Sequence, residues 1–290
     1  MPFALEMKLI AALLMTTFCI CAAESHAARG IVLKTDSAHH LLVVSCEAIP
    51  GYMDAMQMEF AVRESKQLGD LKPGIVIKFQ MVAHGNKLYA EEISQDTTAN
   101  FESEPMAAAQ LTALNNALDP AAKPLNTGEH VPDFTLTDQA GQSIHLAQFQ
   151  GKVVAITFGY SRCPNPNYCY RLSSNLAKVE KRFHAQAGRD FVLMTIMIDP
   201  DHDQGATLAE YANVWKADPA SWHFLTGPLP EIKRVSAMFG VDFWSVEGLL
   251  THSLHTAIID RHGQLAVNIE GNQFTPNELG DLVHSVMERP

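Results

Sequence analysis

Two cysteines with an unusual spacing are the residues best suited to chemistry. Cys163 and Cys169 lie in YSRCPNPNYCYRLSS, residues 160–174, and five residues separate them. The stretch follows the apolar run KVVAITFGY and precedes the helical pattern LSSNLAKVEKRF, so it marks a strand-to-helix turn. Such turns hold the chemistry of open α/β sheets, and a helix N-terminus favours a thiolate. The position predicts a redox pair or a metal site, and a structural disulfide is the alternative.

The interval between the cysteines must double back for the two sulfurs to meet. Six residue steps span roughly 20 Å when extended, whereas a disulfide needs Cα atoms within about 7 Å. Pro164 and Pro166, each followed by asparagine, provide turn chemistry. Copper(I) binds thiolates together with imidazole, and the candidates for a third ligand are His252 and His255 in LLTHSLHTAIID. The alternative for either histidine is a structural role in a hairpin.

A second group of sulfur ligands lies nearer the N-terminus. CEAIPGYMDAMQMEF contains Cys46, Met53, Met56 and Met58. Met56 and Met58 are two residues apart, so they share one face of a strand, and Met53 belongs to the preceding turn. Thiolate and thioether ligands favour copper(I). The alternative is core filling, because methionine packs adaptably, and the pattern alone leaves both open.

The surrounding sequence predicts two domains that position these residues. Short alternating runs separated by turn signals predict five strands in a small all-β, OB-like barrel over residues 28–96. Residues 97–128 are linker-like, with one candidate helix in MAAAQLTALNNAL. Over residues 129–290 strands alternate with helices, which indicates an α/β domain.

Residues 1–27 have the pattern of a secretory signal peptide. An uncharged apolar run follows Lys8, and the small residues of SHA at 25–27 provide a cleavage site. The residues before Cys19 and Cys21 match a lipoprotein anchor poorly. We therefore expect a cleaved, exported, periplasmic protein in which Cys46 is the odd cysteine, and a metal ligand is one explanation for it.

Composition limits the partners. With 21 Lys and Arg against 32 Asp and Glu, the formal net charge is −11. This charge argues against nucleic acid and anionic lipid as partners. An apolar content of 47% with 18% charged residues fits a core-forming protein. Membrane contact is expected at most through a partner protein.

The C-terminal sequence resembles the Sco (SenC) family of thioredoxin-like proteins over residues 128–288. The resemblance rests on PDFTLTDQAGQSIHLAQFQGKVVAITFGYSRCP. Sco proteins have a cysteine pair separated by three residues and a distant histidine, eight residues before an aspartate. His252 lies eight residues before Asp260 in the same way, so the resemblance implies a copper site of Cys163, Cys169 and His252 rather than His255.

One further feature agrees with the Sco pattern, and two depart from it. Asp199-Pro200 with Asp203 resembles the aspartate-rich segment of the family. Thr251 replaces the usual aspartate before the histidine. The longer interval between the cysteines is a second departure, and it affects the geometry expected of the site.

The N-terminal sequence resembles CusF-like periplasmic copper-binding domains, which are small five-stranded barrels. In those, a histidine, an aromatic residue or methionine, and a Met-x-Met pair surround Cu(I) or Ag(I). Aligned on Met56-x-Met58, Cys46 takes the histidine position and Met53 the aromatic one. Cysteine is the softer ligand, so the exchange is compatible with tighter binding.

Together the two resemblances imply an exported copper-binding protein, a Cu(I) chaperone for the copper centre of a respiratory oxidase. Cu(II) is a second candidate oxidation state at the Cys/Cys/His site. The alternative is a periplasmic thiol–disulfide oxidoreductase acting on the cysteines of a partner protein, with Cys163 and Cys169 as its catalytic redox pair. That activity needs neither His252 nor the methionines. A peroxidase that uses Cys163 is a third hypothesis. It is disfavoured because Tyr160 occupies the position where peroxiredoxins have threonine.

Overall fold

A computed structural model describes residues 25–96, 123–246 and 249–289 of the 290-residue chain. Residues 1–24 of the predicted signal peptide, the candidate helix MAAAQLTALNNAL and most of the predicted linker lie outside these residues. Among the helices that the structure describes, none is long and apolar enough to cross a membrane.

The N-terminal β domain, residues 25–96, is rich in strands, as its alternating sequence predicts. The strands are β1 Ser25–Asp36, β2 Leu41–Cys46, β3 Met56–Ala61, β4 Val76–His84 and β5 Lys87–Gln95. Hydrogen-bonded neighbours follow the order β1-β2-β3-β5-β4, and β4 also pairs with β1. A single residue pair, Ala61 with Tyr89, joins β3 to β5. The domain is therefore a strand-rich sheet, and the closed OB-like barrel stays a prediction.

The start of β1 bears on the predicted signal peptide. Residues 25–27 pair with residues 80–82 of β4. The cleavage site predicted after Ala27 thus falls inside β1, and cleavage there would remove three residue pairs from one end of the sheet. The processing site stays a prediction.

The C-terminal domain alternates strands with helices, as predicted. Its strands are β6 Thr135–Thr137, β7 Ser143–His145, β8 Val153–Gly159, β9 Phe191–Met197, β10 Trp222–Leu225, β11 Phe243–Val246, β12 Leu249–His252, β13 His255–Ile259 and β14 Leu265–Glu270. Its helices are α1 Arg171–Arg182, α2 Gly205–Trp215, α3 Leu229–Met238 and α4 Pro276–Met287. The central sheet has the order β10-β9-β8-β13-β14. Strands β8, β9 and β10 are parallel, and β13 runs antiparallel to β8 and β14, which is the thioredoxin-like arrangement.

The central sheet is covered on both faces, which explains its continuous apolar strands. Every residue of β8 and β9 is buried. One face packs against α1, α2 and α4, and the other packs against α3 and the β6–β7 hairpin. This packing fixes the C-terminal end of β8, where the cysteine stretch begins.

The two domains are in direct contact through α4. Ile31, Leu33 and Val43 of the β domain belong to the same apolar cluster as α4 and β14. Next to this cluster the buried Ser45 hydroxyl donates to Asp281 Oδ2 at 2.7 Å, and Arg182 donates to Asp281 Oδ1 at 2.6 Å. The strand that ends in Cys46 is therefore attached to the thioredoxin-like domain.

Candidate metal centre

The interval between the cysteines folds back, as its prolines predict. The chain leaves β8 at Gly159 and forms a π-helical turn over Pro166–Tyr170 before α1 begins. A π-turn contains more residues than an α-turn, so it accommodates part of the longer interval. The side chain of Asn165 accepts a hydrogen bond from the Asn167 amide at 2.9 Å, which caps this turn. The result brings Cys163 and Cys169 close enough for a thiol–thiol hydrogen bond to shift the pKa of each.

The two thiols have opposite acidities. The hydrogen bond from Cys169 lowers the pKa of the partly buried Cys163 to about 6, even though desolvation acts against this shift. The same contact, together with burial, raises the pKa of Cys169 far above the ordinary thiol value. Cys163 is therefore the thiolate of the pair at neutral pH, and Cys169 is the buried thiol that stabilises it. Both are free cysteines.

His252 lies beside Cys169, at the end of β12. Its Nε2 atom is 3.8 Å from Cys169 Sγ, and its Nδ1 atom is 2.8 Å from the Ser253 carbonyl oxygen. A carbonyl oxygen only accepts, so Nδ1 carries the proton and Nε2 presents its lone pair to the sulfur. Burial lowers the pKa of His252 and keeps the imidazole neutral.

The other candidate histidine points elsewhere. His255 Nδ1 lies 3.3 Å from the side-chain oxygen of Asn268. The structure thus places His252, and not His255, beside Cys169 of the pair.

Polar contacts hold the residues that precede Cys163. Ser161 donates through its amide and its hydroxyl to the fully buried Asp203, with the amide bond at 3.0 Å. Arg162 donates through Nε and Nη2 to Asp199 Oδ2, at 3.0 and 2.5 Å. The aspartate-rich segment noted in the sequence therefore anchors the backbone just before the first cysteine.

Tyr160 is a site residue that sequence reasoning missed. Its hydroxyl donates to the Leu250 carbonyl at 2.7 Å, and its ring stands edge-on to the His252 ring, 6.0 Å between centroids. Burial and the neighbouring cysteines raise its pKa, so it stays a neutral phenol. Its position at the end of a buried strand, three residues before Cys163, was the available signal.

Strand register places the sulfur residues of the β domain near one another. Cys46 pairs with Met56, and Val44 pairs with Met58 across β2 and β3. Met53 forms a bridge with Ile49 in the connecting turn. These four side chains differ in exposure. Cys46 is buried in the core of the β domain, Met53 and Met58 are partly buried against that core, and Met56 is 50% exposed.

Cys46 sits in a different electrostatic setting from the C-terminal pair. Burial, and secondarily the charge of Glu278 on α4, raise the pKa of Cys46 to about 12. Among the described residues, no group of three or more His, Cys, Asp and Glu side chains is close enough to hold a metal as it stands. Metal binding at either place thus requires movement of side chains or the participation of methionine.

The fold and the site define a class: a thioredoxin-like domain with a dithiol beside a buried imidazole, preceded by a strand-rich domain that contains cysteine and methionine side chains. Residues 122–288, more than half of the chain, match the family model SCO1/SenC. The chain belongs to the SCO1/SenC family. Residues 25–95 match the family model "Copper binding periplasmic protein CusF". Both resemblances noted in the sequence are confirmed.

Individual relatives cover parts of the chain. It is 26% identical over 162 residues to Protein sco1 of Schizosaccharomyces pombe, covering 52% of this chain and 59% of the relative. It is 30% identical over 110 residues to the mitochondrial Protein SCO2 homolog of Bos taurus, covering 38% of this chain and 40% of the relative. The chain thus spans about half the length of these curated relatives.

Solved structures similar to this chain include two with copper. Bradyrhizobium japonicum ScoI with copper bound is 25% identical, with a TM-score of 0.47, over 56% of this chain and 99% of that chain. Yeast Sco1 with copper bound is 25% identical, with a TM-score of 0.48, over 57% of this chain and 91% of that chain.

Proposed function

We propose that the protein is an exported copper-binding protein that carries Cu(I) and delivers it to the copper centre of a respiratory oxidase. Copper is its cargo in this proposal. The observation that supports it most is the 3.8 Å contact between Cys169 Sγ and the lone-pair nitrogen of His252, beside the acidic thiol of Cys163. A dithiol that only exchanged disulfides would not need a buried imidazole at that position.

The spacing of these atoms fits two ligands of one metal. Bonds of roughly 2.3 Å to sulfur and roughly 2.0 Å to imidazole nitrogen, as for zinc, place two ligands about 3.7 Å apart at trigonal angles. Cys169 Sγ and His252 Nε2 are 3.8 Å apart. Cys163 would complete the set by a small adjustment of its exposed loop, and thiolates with imidazole suit copper.

The β domain supplies the second copper site in this proposal, with Cys46, Met53, Met56 and Met58 as ligands. Support comes from the register of β2 and β3, which sets Cys46 opposite Met56, and from the match to a copper-binding family. Because Met56 is half exposed, it can move onto a metal without disturbing the core.

Export and the identity of the recipient complete the proposal. Export is supported by the signal-like sequence and by the match of the β domain to a periplasmic protein family. The recipient is suggested by a similar solved structure, BsSco, described as a member of the Sco family of cytochrome c oxidase assembly proteins. Delivery would proceed by ligand exchange, which requires reduced cysteines at both sites.

A Cu(I) titration of the reduced protein against a competing chelator tests the proposal. We expect two equivalents of Cu(I) per chain, and transfer of one of them to an apo acceptor that contains two cysteines and histidine. Absence of binding at the thioredoxin-like domain, with reduction of insulin-type disulfides intact, would instead support the thiol–disulfide oxidoreductase.

A further inference from the structure

We propose that Asn272 is a positioning residue of the Cys163–Cys169–His252 site, a role that rests on the proposed function of that site. Asn272 lies in the turn between β14 and α4 and is 1% exposed. Its side-chain amide donates to the Asn167 carbonyl, inside the interval between the two cysteines. It would fix that loop relative to the histidine.

The turn that contains Asn272 is bonded to both halves of the site. Gly271, at a φ of +83°, donates its amide to the Leu254 carbonyl at 2.7 Å. Leu254 follows Ser253, whose carbonyl orients the His252 imidazole. One dipeptide thus connects the backbone behind the histidine to the loop between the cysteines, and the left-handed conformation that glycine permits brings the two bonds together.

The loop between the cysteines needs such support because it lacks a buried core of its own. Pro164, Pro166 and Asn167 are exposed. Exposed loops are the mobile parts of a fold unless hydrogen bonds hold them. The bond from a fully buried amide to the Asn167 carbonyl anchors this loop two residues before Cys169.

An unpaired oxygen of the Asn272 side chain argues against a role in stability alone. Its Oδ1 atom is buried and has no hydrogen-bond partner among the described residues. The desolvation of this oxygen offsets the benefit of the single bond that the amide makes. A leucine of similar shape would remove both the unpaired oxygen and the bond, so stability does not explain the asparagine, whereas its place beside the cysteine loop does.

Asn175 provides a matched control. It is also a buried asparagine, and its amide donates to the Phe274 carbonyl at 3.1 Å, in the same connection between β14 and α4. It makes this bond from α1 and does not contact the loop between the cysteines in any hydrogen bond of the described chain. Asn272→Leu and Asn175→Leu therefore remove equivalent bonds on the same turn.

The experiment compares the two variants in the full chain by Cu(I) competition, and by the visible thiolate-to-Cu(II) absorption band. In Asn272→Leu we expect at least a tenfold loss of affinity at the thioredoxin-like site and a shifted band, with the β-domain site unchanged as the control for folding. In Asn175→Leu the Cu(I) affinity of the same site should fall less than threefold. Equal behaviour of both variants, or wild-type affinity and spectrum in Asn272→Leu, would overturn the role; Asn272→Ala replaces the leucine variant if it does not fold.

A second readout separates this proposal from the function on which it rests. The dithiol–disulfide equilibrium of Cys163 and Cys169 against glutathione is measured without metal, and Asn272→Leu should change its equilibrium constant at least tenfold relative to Asn175→Leu. Wild-type protein that binds no copper at these cysteines would overturn the proposed function. An unchanged glutathione equilibrium in Asn272→Leu would overturn the positioning role by itself.

Discussion

The two candidate sites of this protein place the same kind of side chain, a cysteine thiol, in opposite environments. At the end of β8, Cys163 is partly exposed and receives a hydrogen bond from Cys169, which lowers its pKa to about 6. On β2, Cys46 is buried in apolar surroundings, and its pKa rises to about 12. Because the thiolate is the form that binds metal and attacks disulfides, Cys163 is in its reactive form at neutral pH. Cys46 would have to release its proton to solvent before it could bind a metal. The fold therefore determines which cysteine is reactive.

The two sites also differ in how they are built. In the β domain, strand register alone sets Cys46 opposite Met56. In the thioredoxin-like domain, the site joins a loop, a π-turn and the end of a distant strand, so hydrogen bonds from Ser161, Arg162 and Tyr160 have to position it. We expect the second site to be more sensitive to substitutions outside its ligands.

Removal of the cysteine pair should have the largest effect. In Cys163→Ser/Cys169→Ser, Cu(I) affinity at the thioredoxin-like site should fall by more than roughly 100-fold, beyond the 10–100-fold loss typical of outer-shell changes. Competition titration of the full chain measures this loss. One equivalent should remain in the β domain, and loss of both equivalents would show that the two sites are not independent.

Cys46→Ser should lower the Cu(I) affinity of the β-domain site. The loss should be smaller than for the cysteine pair, because the methionines remain. We expect about a 10–100-fold weaker β-domain site, since a hydroxyl is a poor ligand for Cu(I), with the thioredoxin-like site unchanged. Met56→Leu is the matched test of the half-exposed ligand, because it conserves volume at the surface. Unchanged Cu(I) affinity in Cys46→Ser would remove Cys46 from the ligand set.

Alkylation rates compare the two thiols directly. The Cys163 thiolate forms as pH rises through about 6, so its reaction with iodoacetamide should be half-maximal near pH 6 and level by pH 8. Cys46, with a pKa of about 12, should stay unmodified over that range until the protein is unfolded. Mass spectrometry of peptides from pH 5 to 9 measures both. A Cys163 midpoint near 8.5, the ordinary thiol value, would contradict the proposed thiol contact.

Ser45→Ala should have the smallest effect, confined to stability. It removes the buried bond to Asp281 at the contact between the domains and should cost about 1–3 kcal/mol, because an acceptor is left unsatisfied. Ser285→Ala, which removes a longer 3.4 Å bond to the Leu33 carbonyl, is the control and should cost less. Urea unfolding measures the loss of unfolding free energy in both variants. Equal losses would show that the Ser45 bond contributes no more to stability than the Ser285 bond.

The sequence predicted the local features of the molecule well. Apolar runs and alternation predicted β8, β9 and the strands of the β domain, because burial on two faces or on one leaves a direct pattern. Pro164 and Pro166 predicted that the cysteine interval turns back, although the π-turn that completes it has no pattern in the sequence. The family resemblance selected His252 over His255.

Contacts between residues far apart in the chain could not be predicted from the sequence. The contact of Ser45 with Asp281, and of Asn272 with the cysteine loop, joins residues far apart in the chain. A single serine or asparagine has no periodicity that reveals its partner. The opposite acidities of Cys163 and Cys46 likewise depend on burial and a neighbouring thiol, which only the fold supplies.

The central claim is that His252 makes the dithiol a copper site, and Cu(I) titration of His252→Ala tests it most directly. The reduced wild-type chain should bind two equivalents and the variant one, with its reduction of insulin-type disulfides unchanged because that reaction needs only the cysteines. Retention of two equivalents at wild-type affinity in His252→Ala would contradict the account.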